Sequence, residues 1–118
     1  MTVGTDIIEI SRIEKNLENK KFIERIYSRE EIEYFSQKGF KAESMAGNFC
    51  VKEAFMKCLG TGMFDIPFKE ISVLRNENGK PYISLSGKAK ELLDKRGMQV
   101  DVSISHCREY ATAVCILF

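Results

Sequence analysis

Hydrophobic and polar positions divide the chain at Gly62, with helical spacing before it and alternation after it. Val3 to Ile8 reads as a short strand interrupted by Asp6. Ser11-Arg12-Ile13-Glu14 carries the Ser-x-x-Glu capping-box pattern, which predicts a helix from about Arg12 to Leu17. Asn19 is placed to cap a second short helix with Phe22, Ile23 and Ile26 on its inner face. Ser28-Arg29-Glu30-Glu31 is another capping box; it opens a helix that carries Ile32, Tyr34 and Phe35 and ends at Gly39. A long helix follows from about Lys41 to Leu59, with Gly60 at the left-handed position beyond its end.

Downstream, Glu70–Arg75 and Pro81–Ser86 read as strands joined through Asn76-Glu77-Asn78-Gly79, a hairpin signal because Asn-Gly tolerates positive φ. Ser86 is placed to cap a helix over Lys88–Lys95 that stops at Gly97. Val100–Ser105 alternates, and Tyr110–Leu117 is a β-compatible run joined to it through Arg108-Glu109. This order predicts one α+β domain over residues 1–118, with a mostly antiparallel sheet packed against a long apolar helix and several short helices.

The long helix is unusual because apolar residues surround it. At about 100° per residue, Ala46, Phe49, Cys50, Val51, Ala54, Phe55, Met56, Cys58 and Leu59 leave no polar side. Glu53 and Lys57 lie four residues apart within it. Two readings follow. The pair is a half-exposed surface bridge stabilising by roughly 0.2–0.5 kcal/mol, or a buried pair that needs a further charged partner. In a domain of 118 residues such a helix also suggests burial by oligomerisation.

Composition narrows the class. A hydrophobic content of 44% supports a folded core, and a net charge of +1 argues against a general nucleic-acid binder. Cys50, Cys58, Cys107 and Cys115 show no C-x-x-C spacing, and His106 is the single histidine, so a structural zinc site is not expected. Three of the cysteines sit in apolar runs, as buried thiols do in a reducing cytoplasm. The first residues carry no basic or apolar export signal, and no run approaches the ~18 apolar residues of a membrane span. A cytoplasmic protein without membrane contact is expected.

Asp6 stands where a strand does not favour a carboxylate, unless it caps a helix beginning there. Paired with Glu53, it would form the two-carboxylate set that holds Mg²⁺ while leaving positions for water and phosphate oxygens. Gly60-Thr61-Gly62 reads as a helix end, and Gly79-Lys80-Pro81 as a hairpin exit; neither is a P-loop. A helix C-terminus repels phosphate, so an anion there needs a cation such as Lys57. His106, at a strand end, is a structural residue, a phosphate ligand or a proton relay. Between Arg12 and Arg29 there are six basic residues against three acidic ones, with Phe22 among them, which suits an acidic helical partner.

These elements together resemble the small bacterial phosphopantetheinyl transferases, the holo-[acyl-carrier-protein] synthase family. The likeness runs through Gly4-Thr5-Asp6-Ile7-Ile8-Glu9-Ile10-Ser11-Arg12-Ile13 and Phe22-Ile23-Glu24-Arg25-Ile26-Tyr27-Ser28. It continues through Met45–Lys57, which holds the block Lys52-Glu53-Ala54-Phe55-Met56-Lys57, and then Gly60-Thr61-Gly62 and Gly79-Lys80-Pro81. It closes with Val102–His106 and Tyr110-Ala111. The resemblance implies a phosphopantetheinyl transferase-like fold and transfer of the 4′-phosphopantetheine group from coenzyme A to a serine of apo-acyl carrier protein. It implies Mg²⁺ on Asp6 and Glu53, and coenzyme A against Lys57, Gly60, Gly62, Lys80, Pro81 and His106. Asp6, Glu53, Lys57 and His106 would serve catalysis, and Arg12, Lys21, Phe22 and Arg25 would dock the carrier protein. Homotrimers with shared active sites are implied as well.

One departure stands out. Asn48 occupies a position where the family commonly has arginine, so nucleotide binding is expected either to weaken or to draw on another cation such as Lys52. The rival readings are a non-catalytic trimeric module that binds acidic helices, and a metal-dependent phosphohydrolase that transfers to water.

Overall fold

A computed structural model describes residues 1–60 and 65–118. The chain runs β1 (Thr2–Glu9), α1 (Ile10–Glu14), α2 (Lys20–Ile26), α3 (Arg29–Gln37), α4 (Ala42–Cys58), a 3₁₀ turn at Phe68–Glu70, β2 (Ile71–Arg75), β3 (Pro81–Leu85), α5 (Gly87–Arg96), β4 (Val100–His106) and β5 (Tyr110–Leu117). Three strands form an antiparallel sheet in the order β1-β5-β4, and β2 and β3 form a separate antiparallel hairpin. This is the α+β architecture expected from the alternation of periods.

Several local signals act as the sequence predicts. Asn19 accepts a hydrogen bond from the Phe22 N–H at 3.2 Å. Ser28 and Glu31 bond reciprocally across the first turn of α3. Gly79 in the hairpin takes φ +83°, where a side chain would be strained. Two of the expected caps are not formed. Ser11 lies inside α1, which starts at Ile10 because the Ile10 N–H donates to the Glu109 carbonyl at 2.9 Å and both Ile10 and Ile13 enter the core. Ser86 makes no side-chain cap; the Glu70 carboxylate accepts from the Ala89 N–H at 3.2 Å instead. In both places a long-range bond satisfies a helix end that local sequence assigned to a serine.

α4 crosses the inner face of the sheet. At its start, a Cβ on Gly47 would touch the Ile104 side chain, and at its end Thr2 Oγ1 donates to the Cys58 carbonyl at 2.9 Å. Ala111, Ala113, Cys115 and Leu117 of β5 form the floor beneath it. Its other sides are covered by α1, by Tyr27, whose hydroxyl donates to the Met45 carbonyl at 2.7 Å, and by Ile71 and Val73. The all-round apolar pattern is therefore satisfied within one chain. It is not evidence for oligomerisation, contrary to the expectation drawn from the helix. Among the described residues, an uncovered apolar patch lies on the opposite face of the sheet, where Val3 and Ile7 are 63% and 65% exposed beside partly exposed Val114 and Ile116. Among the described residues, no helix is long and apolar enough to cross a membrane.

Candidate functional site

Gly4 makes the site possible. A Cβ there would lie 2.1 Å from the Ala54 carbonyl oxygen and 2.9 Å from the Cys58 nitrogen, so only glycine lets β1 press against the last turns of α4. Alternate residues of β1 face inward, and Asp6 follows Gly4 on that face. Asp6 interrupts the apolar pattern because it occupies a core-facing position at the edge of the sheet–helix seam.

Lys57 reaches from the last turn of α4 to donate to the Thr5 carbonyl at 2.8 Å and to Asp6 Oδ1 at 3.4 Å. Thr112 Oγ1 donates to the Asp6 carbonyl at 2.7 Å and holds the strand in register. Glu53 lies one turn before Lys57. Burial first, and then the charge of Asp6, push its carboxyl above the ordinary range, while Lys57 and Arg12 oppose the shift. Burial and Asp6 push the neighbouring Cys50 thiol up to about 12, so it remains protonated beside the carboxylates. Asp6, Glu53, Lys57 and Arg12 thus form one electrostatic group, although they come from three elements.

The donor set fits a divalent cation with a preference for oxygen. Two carboxylates share a half-buried seam, and the charge of Asp6 raises the cost of ionising Glu53. Among the described residues no group of three His, Cys, Asp or Glu side chains could enclose an ion. A two-carboxylate, one-sided site suits Mg²⁺, which keeps water and substrate phosphates as its other ligands.

The remaining predicted residues are distributed more widely. Gly60 is exposed just beyond α4 with φ +77°. Gly62 lies outside the described residues. Lys80, at the hairpin exit before Pro81, donates to Asp101 Oδ1 at 2.9 Å and to the Val102 carbonyl at 3.4 Å. His106 is exposed at the end of β4, in register with Ala111 and through it with Ile8. β4 is two strands from β1, roughly 10 Å across the sheet. Within one chain, Lys80, Pro81 and His106 are therefore not brought to Asp6. Arg12, Lys21 and Arg25 are exposed and Phe22 is half-buried. Arg25 borders a cleft of about 430 Å³ with Ile26, Pro67, Phe68 and Lys69.

One expectation is overturned. Lys52 cannot serve a nucleotide in place of an arginine at position 48, because its side chain is fully buried and bonded to Glu31 at 2.6 Å. Asn48 is also fully buried, donating to Glu31 Oε2 at 2.9 Å and to the Val73 carbonyl at 3.0 Å. Glu31 reads in the sequence only as a capping-box residue. The signal for its second role was Asn48 and Lys52, two polar side chains one turn apart among the apolar residues of α4.

The family model described as the 4′-phosphopantetheinyl transferase superfamily matches residues 2–115. A holo-[acyl-carrier-protein] synthase of Clostridium beijerinckii is 48% identical over 116 residues, covering 98% of this chain and 94% of the relative. The fold is similar to the crystal structure of the Helicobacter pylori holo-[acyl-carrier-protein] synthase in complex with coenzyme A, with a TM-score of 0.84, 36% identity, and coverage of 98% and 99% of the two chains. It is also similar to the Bacillus anthracis synthase in complex with coenzyme A (3′,5′-ADP), with a TM-score of 0.78, 38% identity, and coverage of 98% and 94%.

Proposed function

The chain belongs to the 4′-phosphopantetheinyl transferase superfamily, and on that premise we propose that it is a holo-[acyl-carrier-protein] synthase acting through the seam between β1 and α4. It transfers the 4′-phosphopantetheine group of coenzyme A to a serine hydroxyl of apo-acyl carrier protein. The products are the holo-carrier and adenosine 3′,5′-bisphosphate. The observation that carries the reading is the convergence of Asp6, Glu53 and Lys57, in a chain whose relatives are synthases over nearly their full length.

Asp6 and Glu53 would hold Mg²⁺, which when bound supplies positive charge to the diphosphate as negative charge grows on the leaving oxygen. Lys57 is an exposed cation of the site. Its ammonium is half-exposed and its bond to Asp6 is long, so it can exchange Asp6 for a phosphate oxygen while the largely buried Asp6 carboxylate would meet the metal. Thr112 and Gly4 fix the strand that carries Asp6. The exposed Arg12, Lys21 and Arg25, with the half-buried Phe22, are assigned to docking of the acidic carrier. Gly60, Gly62, Lys80, Pro81 and His106 are assigned to coenzyme A. The separation of His106 and Lys80 from Asp6 within one chain, and the apolar outer face of the sheet, support a homotrimer in which a neighbouring chain completes each site.

Intact-mass analysis of apo-carrier incubated with the protein, coenzyme A and Mg²⁺ tests the function. A phosphopantetheine adduct is expected. Bisphosphate release without an adduct would identify a hydrolase, and no product would identify a binding module. Asp6→Asn and Glu53→Gln are each expected to lower turnover by at least about 100-fold while the protein stays folded. Full activity in both would falsify the metal assignment.

A further inference from the structure

α4 poses a problem of register. Its apolar residues lie on all sides and hydrophobic burial has no direction, so the apolar pattern by itself specifies the rotation of the helix only weakly. Glu53 nevertheless has to face Asp6. On the sheet side the close approach of Gly4 and the Cys50 and Cys58 thiol bonds to β5 constrain the rotation; on the far side the fully buried polar side chains of α4 are Asn48 and Lys52. Asn48 is nine residues from Lys57, about half a turn around the helix, so it lies opposite the β1 seam.

There Lys52 uses all three of its N–H donors. They go to Glu31 Oε1 at 2.6 Å, to the Phe68 carbonyl at 3.0 Å and to the Ile71 carbonyl, with the Tyr27 ring centroid 5.6 Å away. Glu31 is held in turn by the Ser28 N–H at 3.0 Å and by Asn48. Asn48 Nδ2 also donates to the Val73 carbonyl, and its Oδ1 accepts from Arg75 at 2.8 Å. Among the described residues, no buried side-chain nitrogen or oxygen lacks a partner. α4 is therefore tied by directional bonds to α3, to the 3₁₀ turn and to β2.

We propose that the Lys52–Glu31 pair, with Asn48, is a positioning device that fixes the rotation of α4 and so holds Glu53 against Asp6. This rests on the transferase reading and assigns Lys52 a positioning role, not a catalytic one. A buried ion pair is commonly replaced by apolar residues with no loss of stability, so stability alone does not explain its presence. Fixing from the far side the arrangement of a helix that is apolar on all sides does. A buried polar residue setting helix register in a coiled coil works by the same physics.

The test replaces the pair by apolar residues of similar size, Lys52→Met/Glu31→Leu. Folding is followed by thermal melting, transfer by carrier mass, and the carboxylate pair by calorimetric titration with Mn²⁺ alone. The variant is expected to fold with a lowered melting temperature, because the Phe68 and Ile71 carbonyls and the Ser28 N–H lose their partners. Its kcat is expected to fall roughly tenfold or more, with KM for the carrier within about twofold, and Mn²⁺ affinity is expected to fall several-fold. A folded variant with parental kcat and Mn²⁺ affinity overturns the proposal. If the double variant does not fold, Glu31→Gln is measured; it keeps the volume but turns an amide N–H₂ toward Asn48 Nδ2. A loss of kcat of about threefold, with the same direction of Mn²⁺ shift, is expected there, and parental values overturn the proposal. A parent that transfers nothing refutes the synthase reading instead, while the Mn²⁺ titrations of parent and variant still test the positioning role.

Discussion

Two lysines five residues apart on α4 pair with carboxylates in opposite ways. Lys52 and Glu31 meet at 2.6 Å with both side chains fully buried. Lys57 and Asp6 meet at 3.4 Å with side chains 56% and 17% exposed. The first pair is saturated. Every donor and acceptor is used, and burial pulls the ammonium down while Glu31 pushes it back up. The second pair is loose, and one of its members also faces Glu53. A saturated pair fixes geometry and has no capacity left for a ligand; a loose one at a seam can exchange its partner for a phosphate or a metal. The same residue types on the same helix thus divide between architecture and chemistry, and burial draws the line.

Alanine at each lysine should separate the two roles most clearly. Lys52→Ala strands the Glu31 carboxylate in the core and should cost about 3–5 kcal/mol, read by urea unfolding. Lys57→Ala should change stability by less than about 1 kcal/mol, yet lower kcat by roughly 100-fold. Equal stability losses at the two positions would erase the distinction. Gly4→Ala acts on the seam itself. Its Cβ meets the backbone of α4, so a loss of about 1–3 kcal/mol is expected, accompanied by weaker Mn²⁺ binding as Asp6 is pushed away.

A smaller effect is expected from pH. The folded carboxyl of Glu53 titrates above its ordinary value of 4.5, so in the window above that value the folded chain keeps a proton that the unfolded chain has lost. The stability this contributes is fully present below the unfolded value and is lost as pH rises through the folded one. The metal-free protein should gain stability as pH falls from neutral into that window, while Mn²⁺ affinity declines over the same range. Glu53→Gln should abolish both trends. The exposed Lys80–Asp101 pair supplies the lower limit: Asp101→Asn should alter melting by less than about 1 kcal/mol.

The Ser28–Glu31 capping box, the Asn19 cap, the Asn-Gly turn and the glycine ends of α4 and α5 were legible because each depends on a few neighbouring residues. Asp6 and Glu53 were legible as candidates because a carboxylate in an apolar run is conspicuous, and the resemblance joined them. The start of α1 and the cap of α5 were not legible, since Glu109 and Glu70 supply those bonds from a distance. Lys52 was misread for a different reason. A lysine that finds a buried partner and one that faces solvent look identical until the fold brings Glu31 across 21 residues.

Local chemistry along the chain therefore determined which segments are helix or strand, where most of them end, and which side chains are equipped to bind a cation and a phosphate. The tertiary structure decided which of those side chains meet and which are sealed away. Backbone preference acts over a few residues, whereas an ionisable group's solvation and partners depend on segments far apart in sequence. That is why Lys57 became part of the site and Lys52 part of the frame that holds it.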